Sequence, residues 1–264
     1  MKFAATIGQY YPGASIIHQL DPRTKLLAVL LLLILVFVAN NPFSLGLLAI
    51  FLLSVIIAAK LPIKFIIRGL RSIMFIIIFT MLINLFFAGG ENVLINFWFV
   101  AITKEAAVIA ITMGMRLVLI IISSTILTLT TSPINLAAAM EKLLAPLKKV
   151  KLPVNEIAMM TTIALRFIPT LFEEADKITK AQMARGASFD TGGVIDRAKS
   201  MVPVIVPLFV SAFRRADELA MSMDSRCYRS DIERTKLKEL KFTKKDCLTI
   251  CVMLILSIFI IFLI

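Results

Sequence analysis

Between Ala106 and Thr130 the chain reads AAVIAITMGMRLVLIIISSTILTLT, 25 residues with a single charged side chain, Arg116. As a helix rising about 1.5 Å per residue, the stretch exceeds the roughly 30 Å of a bilayer's hydrocarbon core. Four further stretches approach the same pattern: Leu26–Ala39, Phe43–Ala59, Ile73–Ala88 and Leu248–Ile264. The first is short, so its helix is expected to begin earlier, near Leu20, or to lie in a locally thinned bilayer. Asn40-Asn41-Pro42 parts the first two, because proline pushes the residue before it out of the helical region; the pattern reads as a hairpin of two spans. With 264 residues, 59% of them hydrophobic, and a mean hydropathy of +0.92, the chain holds more apolar surface than one soluble core can bury. The predicted fold class is all-α, a polytopic membrane protein with about five transmembrane helices and a cytoplasmic or interfacial helical region.

Leu26–Ala39 is not read as a cleaved signal, since 25 residues of mixed charge precede it and a second apolar run follows at once. Cys227, Cys247 and Cys251 make no CxxC pair, which argues against a disulfide framework and a zinc site. Cations set the orientation. Lys2, Arg23 and Lys25 lie before the first span and Lys60, Lys64, Arg68 and Arg71 after the second. The alternate connections carry none at 40–42 and only Lys104, against Glu91 and Glu105, at 89–105. The N-terminus is therefore expected in the cytoplasm of a multi-pass cell-membrane protein. Five spans put the long segment Thr131–Asp246 inside as well, and Ile264 outside.

That segment carries 20 Lys and Arg against 14 Asp and Glu, so the formal charge of +12 is shared with the membrane-flanking loops. The basicity records topology and contact with anionic headgroups. Interleaved acids and the lack of an aromatic platform argue against nucleic-acid binding. No GxxxxGK[ST] phosphate loop is present. His18 is the only histidine, so a His-based metal cluster is excluded and a nucleophilic triad has one unsupported candidate. Glu173-Glu174-Ala175-Asp176 lacks the spacing of an acidic metal motif and reads as a solvated helix face.

From Val154 to Arg185 the residues Ile157, Met160, Ala164, Phe167, Leu171, Ala175 and Ile178 recur every three or four positions, with Glu156, Arg166, Glu173, Asp176, Lys177 and Lys180 opposite. This is an amphipathic helix, expected to kink at Pro169. A second stripe, Ile205, Phe209, Ala212, Ala216, Leu219 and Met223, runs to Ser225, with Pro203 and Pro207 in its apolar front half. The apolar parts of both, 157–172 and 201–213, are too short for spans and read as interfacial or protein-packed. A third helix is expected over Ile134–Val150. The two long helices end in the triplets Ala184-Arg185-Gly186 and Ser225-Arg226-Cys227, an arginine between small residues. Each arginine could merely answer its helix dipole; small neighbours and a planar fork of donors also suit insertion into a partner.

Arg116 in mid-span should face the bundle interior, and with no intramembrane acid to complete a relay it reads as a clamp between helices. Ala106, Ala110 and Gly114 form a small-xxx-small line that lets another helix approach. The competing classes are a membrane-embedded enzyme, for which clustered acids or a nucleophile with its base are missing, and a self-sufficient channel or secondary transporter built around Arg116.

A set of ordered motifs then narrows the choice: Gly8-Gln9-Tyr10 with Pro12-Gly13 and Ser15; His18 with Leu20-Asp21-Pro22-Arg23 and Lys25; Thr130-Thr131-Ser132-Pro133; Ala164-Leu165-Arg166-Phe167-Ile168-Pro169; Glu173-Glu174; Ala181-Gln182 leading into Ala184-Arg185-Gly186; and Arg215-Ala216 through Met223 to Ser225-Arg226. Over nearly its whole length the chain resembles the transmembrane T component of energy-coupling factor transporters, importers of vitamins and some metal ions. The resemblance implies a non-catalytic subunit without a cofactor, ATP and magnesium belonging to two ABC-type ATPase partners. Ala184, Arg185, Gly186, Ser225, Arg226 and Cys227 would dock those ATPases. Arg166, Pro169, Glu173, Glu174 and Arg215 would be coupling or structural residues, and a membrane-embedded substrate-binding S component would be the third partner. Cys227 stands where the family often has glycine, which makes a left-handed turn after Arg226 less accessible. The implied organisation is a membrane domain over 1–130, coupling helices over 131–245 and a last transmembrane helix over 246–264.

Overall fold

Asp21-Pro22 opens the first long helix: the Asp21 carboxylate accepts from the Arg23 N–H at 2.9 Å, and Pro22 takes the first helical position, where a missing N–H costs nothing. In a computed structural model describing residues 10–87, 89, 93–97, 100–150, 153–189, 193–229 and 242–263, this helix is α2, Pro22–Val38. A short α1, Ile16–Gln19, precedes it, and α3 (Pro42–Ala59), α4 (Ile63–Phe87), α5 (Lys104–Thr130) and α6 (Pro133–Leu144) follow. Then come α7 (Val154–Ala184), α8 (Val194–Asp224) and α9 (Lys244–Phe262). Lys2, Gly8, Gln9 and Glu91, and the ends Ala88 and Ile264 of two expected spans, lie outside the described residues. The chain divides into two compact units, one of Gly8–Leu143 with Glu239–Ile264 and the other of Met1–Ile7 with Leu144–Lys238.

Among the described residues four helices are long and apolar enough to cross a membrane: α3, α4, α5 and α9. Neither α7 nor α8 is among them, although each has 31 residues. With 17 residues α2 is slightly shorter than the four, yet it is coextensive with α9. At one end the Asp21 N–H donates to the Asp246 carboxylate at 2.8 Å, and at the other the Asn41 amide donates to the Leu263 carbonyl at 2.8 Å. The helix starts at Pro22, close to the expected Leu20, and Pro42 begins α3 after a tight reversal at Asn40-Asn41. The architecture is all-α, with a core of Leu32, Leu35, Val36, Leu45, Leu48, Leu52, Leu119, Ile126 and Ile260 from α2, α3, α5 and α9.

Three details depart from the sequence reading. Helix α4 begins at Ile63 and not at the expected Ile73, so Lys64, Arg68 and Arg71 are helical. Val93–Phe97 and Val100–Thr103 pair as a short antiparallel ribbon between α4 and α5, and the Thr103 hydroxyl then caps α5 by accepting from the Ala106 N–H. The helix expected over Ile134–Val150 stops at Leu144 and tightens into a 3-10 turn over Ala145–Val150, because Pro146 has no N–H for the Lys142 carbonyl. The small-residue line finds its partner within the chain. Ala106, Ala110 and Gly114 are buried, and a Cβ at Gly114 would come within 2.6 Å of the Met81 sulfur on α4.

Several polar groups buried at the ends of the bundle are satisfied across helices. Asp246, fully buried, accepts from the Asp21 N–H, from the Thr243 N–H at 2.8 Å and from the Thr243 hydroxyl at 2.6 Å. The buried Lys25 ammonium donates to the His18 carbonyl at 3.1 Å and the Thr130 carbonyl at 3.0 Å. The Tyr11 N–H donates to Leu129 at 2.9 Å, and the His18 ring bridges Ser15 and the Tyr11 carbonyl. At the opposite end Arg116 donates through Nε to the Val36 carbonyl at 3.2 Å and through Nη2 to the Ala39 carbonyl at 2.9 Å. A cation there also meets the negative end of the α2 dipole.

Replacing Asp246 by alanine strands the buried Asp21 N–H and frees the start of α9. The expected cost is about 3 kcal/mol, read as a lower thermal midpoint in detergent, and an unchanged midpoint refutes the assignment. Arg116→Ala is expected to cost about 2 kcal/mol, and Arg116→Lys to recover less than half of it, because a single nitrogen cannot stand at both the Nε and Nη2 positions from which arginine reaches Val36 and Ala39.

Candidate functional site

Helices α7 and α8 come from the second unit and run antiparallel past one another. Their register is fixed by polar contacts. The Glu174 carboxylate accepts from the Ser211 hydroxyl and pairs with Arg215 Nη2 at 2.7 Å, and two turns along α7 the Gln182 amide donates to the Pro203 carbonyl at 3.4 Å. The last contact has a backbone cause. Pro207 lacks the N–H that would bond to the carbonyl four residues earlier, so the Pro203 oxygen is left for a partner on the other helix. Pro169, Pro203 and Pro207 all lie within uninterrupted helices.

The two helices end in the same way. Past α7 the Gly186 N–H bonds to the Met183 carbonyl and the Ala187 N–H to Gln182, both at 3.0 Å, with Gly186 left-handed at φ 90°. Past α8 the Cys227 N–H bonds to Asp224 at 2.9 Å and the Tyr228 N–H to Met223 at 3.0 Å, with Cys227 left-handed at φ 55°. Each pair of bonds is a Schellman stop, and Arg185 and Arg226 hold the same position in it. The left-handed turn that Cys227 was expected to disfavour therefore forms, against the steric preference of a residue with a Cβ. Both arginines are exposed, and among the described residues neither guanidinium has an ion-pair partner or a side-chain hydrogen bond.

Spacing ties these ends to the contacts between the helices. Glu174 precedes Arg185 by eleven residues and Arg215 precedes Arg226 by eleven, so each arginine lies about 16 Å beyond the ion pair and on nearly the same helix face. From Pro203, beside Gln182, to Arg226 the rise is roughly 35 Å. The small neighbours Ala184, Gly186, Ser225 and Cys227 are exposed and leave both ends open to approach.

Of the other residues singled out in the sequence, Arg166, Pro169 and Glu173 are exposed on α7, apart from the crossing contacts. Glu174 and Arg215 meet directly, while Arg116 belongs to the membrane unit and is bonded to the end of α2. Ser211 and the role of Gln182 escaped the sequence reading. The four-residue spacing of Pro203 and Pro207 signals the free carbonyl that Gln182 satisfies, but nothing in the sequence pairs the two helices. The front halves keep apolar side chains exposed, among them Met160, Phe209, Val210 and Phe213.

Comparison with known proteins follows this geometry. The model of the cobalt transport protein family CbiQ matches residues 13–237, most of the chain. A protein of Ruminiclostridium cellulolyticum is 51% identical over 243 residues, covering 92% of this chain and 91% of its own length. One from Acidaminococcus fermentans is 50% identical over 258 residues (98% and 96%), and one from Bacillus subtilis 45% identical over 263 (100% and 99%). All three carry the name energy-coupling factor transporter transmembrane protein EcfT. Taken with the bundle of apolar helices, these matches place the chain in that family, as a multi-pass transmembrane component of an energy-coupling factor transporter.

Proposed function

We propose that the chain is the mechanical link of an ATP-driven importer of vitamins or other micronutrients, with the N-terminus and helices α7 and α8 on the cytoplasmic side. Arg185 and Arg226 each dock one ABC-type ATPase subunit. The observation that carries this reading is the matched pair of exposed guanidiniums, without a partner among the described residues, on matching helix stops. A separation of roughly 35 Å along α8 exceeds the diameter of a small domain and suits two subunits rather than one pocket. A planar fork flanked by small residues can enter a groove and bond carboxylates or carbonyls there.

ATP and magnesium belong to those partners, and this chain carries no catalytic group of its own. The exposed apolar fronts of α7 and α8 meet a membrane-embedded S component, which selects the substrate. Closure of the ATPases moves the two docked ends, and the helices pass that motion to the S component. Arg116 does not need a substrate to explain it, since its donors are already on the carbonyls of Val36 and Ala39. That favours the coupling reading over a self-sufficient transporter, which would import substrate when the chain alone is placed in liposomes.

The double variant Arg185→Ala with Arg226→Ala is expected to fold with an unchanged thermal midpoint and to lose its ATPases in affinity purification. An intact complex from the double variant sinks the proposal. Single variants are expected to weaken assembly without abolishing it, because the remaining grip still tethers the complex. Cys227→Gly is expected to do the reverse, raising stability by about 1 kcal/mol through relief of the left-handed strain while leaving assembly intact.

A further inference from the structure

In the membrane unit a half-open pocket of about 210 Å³ lies among α1, α2, α3, α5 and α9, with the exposed side chains of Ile16, Leu248 and Val252 among its lining. Its wall is almost all carbon, with Ala28, Val29, Val55, Leu127 and Val252 among the lining residues. Four polar side chains border it, and each is already bonded to a backbone carbonyl. The Ser123 hydroxyl donates to Ile120 at 2.9 Å, Thr130 to Ile126 at 2.7 Å and Thr249 to Lys245 at 2.9 Å. The Lys25 ammonium is held by the carbonyls of His18 and Thr130.

Water is therefore a poor occupant, since a buried water needs two to four polar partners that this wall does not offer. Left uncovered, the apolar wall keeps its carbon surface unburied, and a slender hydrocarbon laid in the pocket would cover it. Four of the five surrounding helices are read as membrane-spanning, so the abundant slender apolar molecule at hand is the lipid chain of the bilayer itself.

We propose that the cavity is a binding site for one acyl chain of a membrane phospholipid, which completes the packing between α2, α3, α5 and α9. The polar end of the site is fixed by the same geometry. Lys25 and the helix start at Lys244-Lys245 mark the level where α2 and α9 leave the apolar layer, and Lys245 faces outward there with only Gln19 bonded at 2.8 Å. The acyl chain enters from that end and the phosphate lies beside the exposed Lys244 and Lys245 ammonium groups. This site is independent of ATPase docking, so either reading can fail while the other stands.

The test is native mass spectrometry and lipid extraction on the full-length chain, purified with its partners from its own membrane in mild detergent. One phospholipid per chain is expected to survive extended detergent washing. Val29→Phe, which fills the cavity, is expected to lose that lipid. Added phosphatidylglycerol raises the thermal midpoint of the delipidated natural protein but not that of the filled variant. If Val29→Phe does not fold, Val55→Phe fills the same space from α3. Retention of the lipid by a folded filled variant overturns the proposal, as does recovery of detergent or free fatty acid alone.

Discussion

The carboxylate of Asp246 holds the membrane unit closed. The acceptor lies at the start of α9, more than two hundred residues beyond the Asp21 N–H that it bonds, with the whole of α7 and α8 between them. Asp21 and Asp246 are buried away from water, so the N–H groups at the start of one helix must be met by something within the protein. Asp246 answers at two helix starts at once, taking the Thr243 N–H and hydroxyl at its own and the Asp21 N–H beside α2. Lys25 and Arg116 do the same for carbonyls, at Thr130 and His18 on one end and at Val36 and Ala39 on the other. Positions of the helix ends are thus set by charged side chains, and the leucine-rich core fills the space they define. Apolar packing alone could not fix that alignment, because lipid tails are as apolar as leucine and helices would slide at little cost.

How much of this was legible follows from the range of each signal. The apolar spans and the Asn41-Pro42 reversal come from local composition and backbone sterics, but composition did not show that α4 begins at Ile63, since Lys64, Arg68 and Arg71 read as a basic loop. Arg116 could be placed against a neighbouring helix because a buried charge demands a partner, although its partners, the carbonyls of Val36 and Ala39, have no sequence signature of their own. Asp246 was readable only as an ordinary first-turn acid. Its contact with Asp21 is a long-range pairing, and a backbone N–H looks alike at every residue. The ribbon at 93–103 escaped for the opposite reason: its apolar run, between two stronger helix patterns, shows no alternation to separate strand from loop. Among the site residues, Arg185 and Arg226 stood out by their triplets, whereas Ser211 became visible only once α8 lay against α7.

The two helix stops show how far tertiary demand can override a local preference. Glycine at 186 and cysteine at 227 reach the same left-handed turn, and only the first does so without steric penalty. An intrinsic preference of 1–2 kcal/mol, about that of αL for a residue with a Cβ, is overcome where two backbone hydrogen bonds close the stop. The consequence is that both arginines leave their helices in the same orientation relative to the last turn, which composition alone would not have required.

The contact between α7 and α8 is weak by its chemistry. Glu174 and Arg215 are partly exposed, and such pairs contribute about 1 kcal/mol or less; the Gln182 bond at 3.4 Å is long. A crossing held so lightly cannot weld the helices into one body, but it does fix where they touch. Eleven residues separate the Glu174–Arg215 pair from the arginine on either helix, so both guanidiniums lie near the face on which the helices meet, while Arg185 lies only three residues beyond the Gln182 contact with Pro203. On the proposed reading, in which the two ends answer two ATPases, a contact that yields lets either end move with its partner, while a rigid junction would resist whichever end moved first.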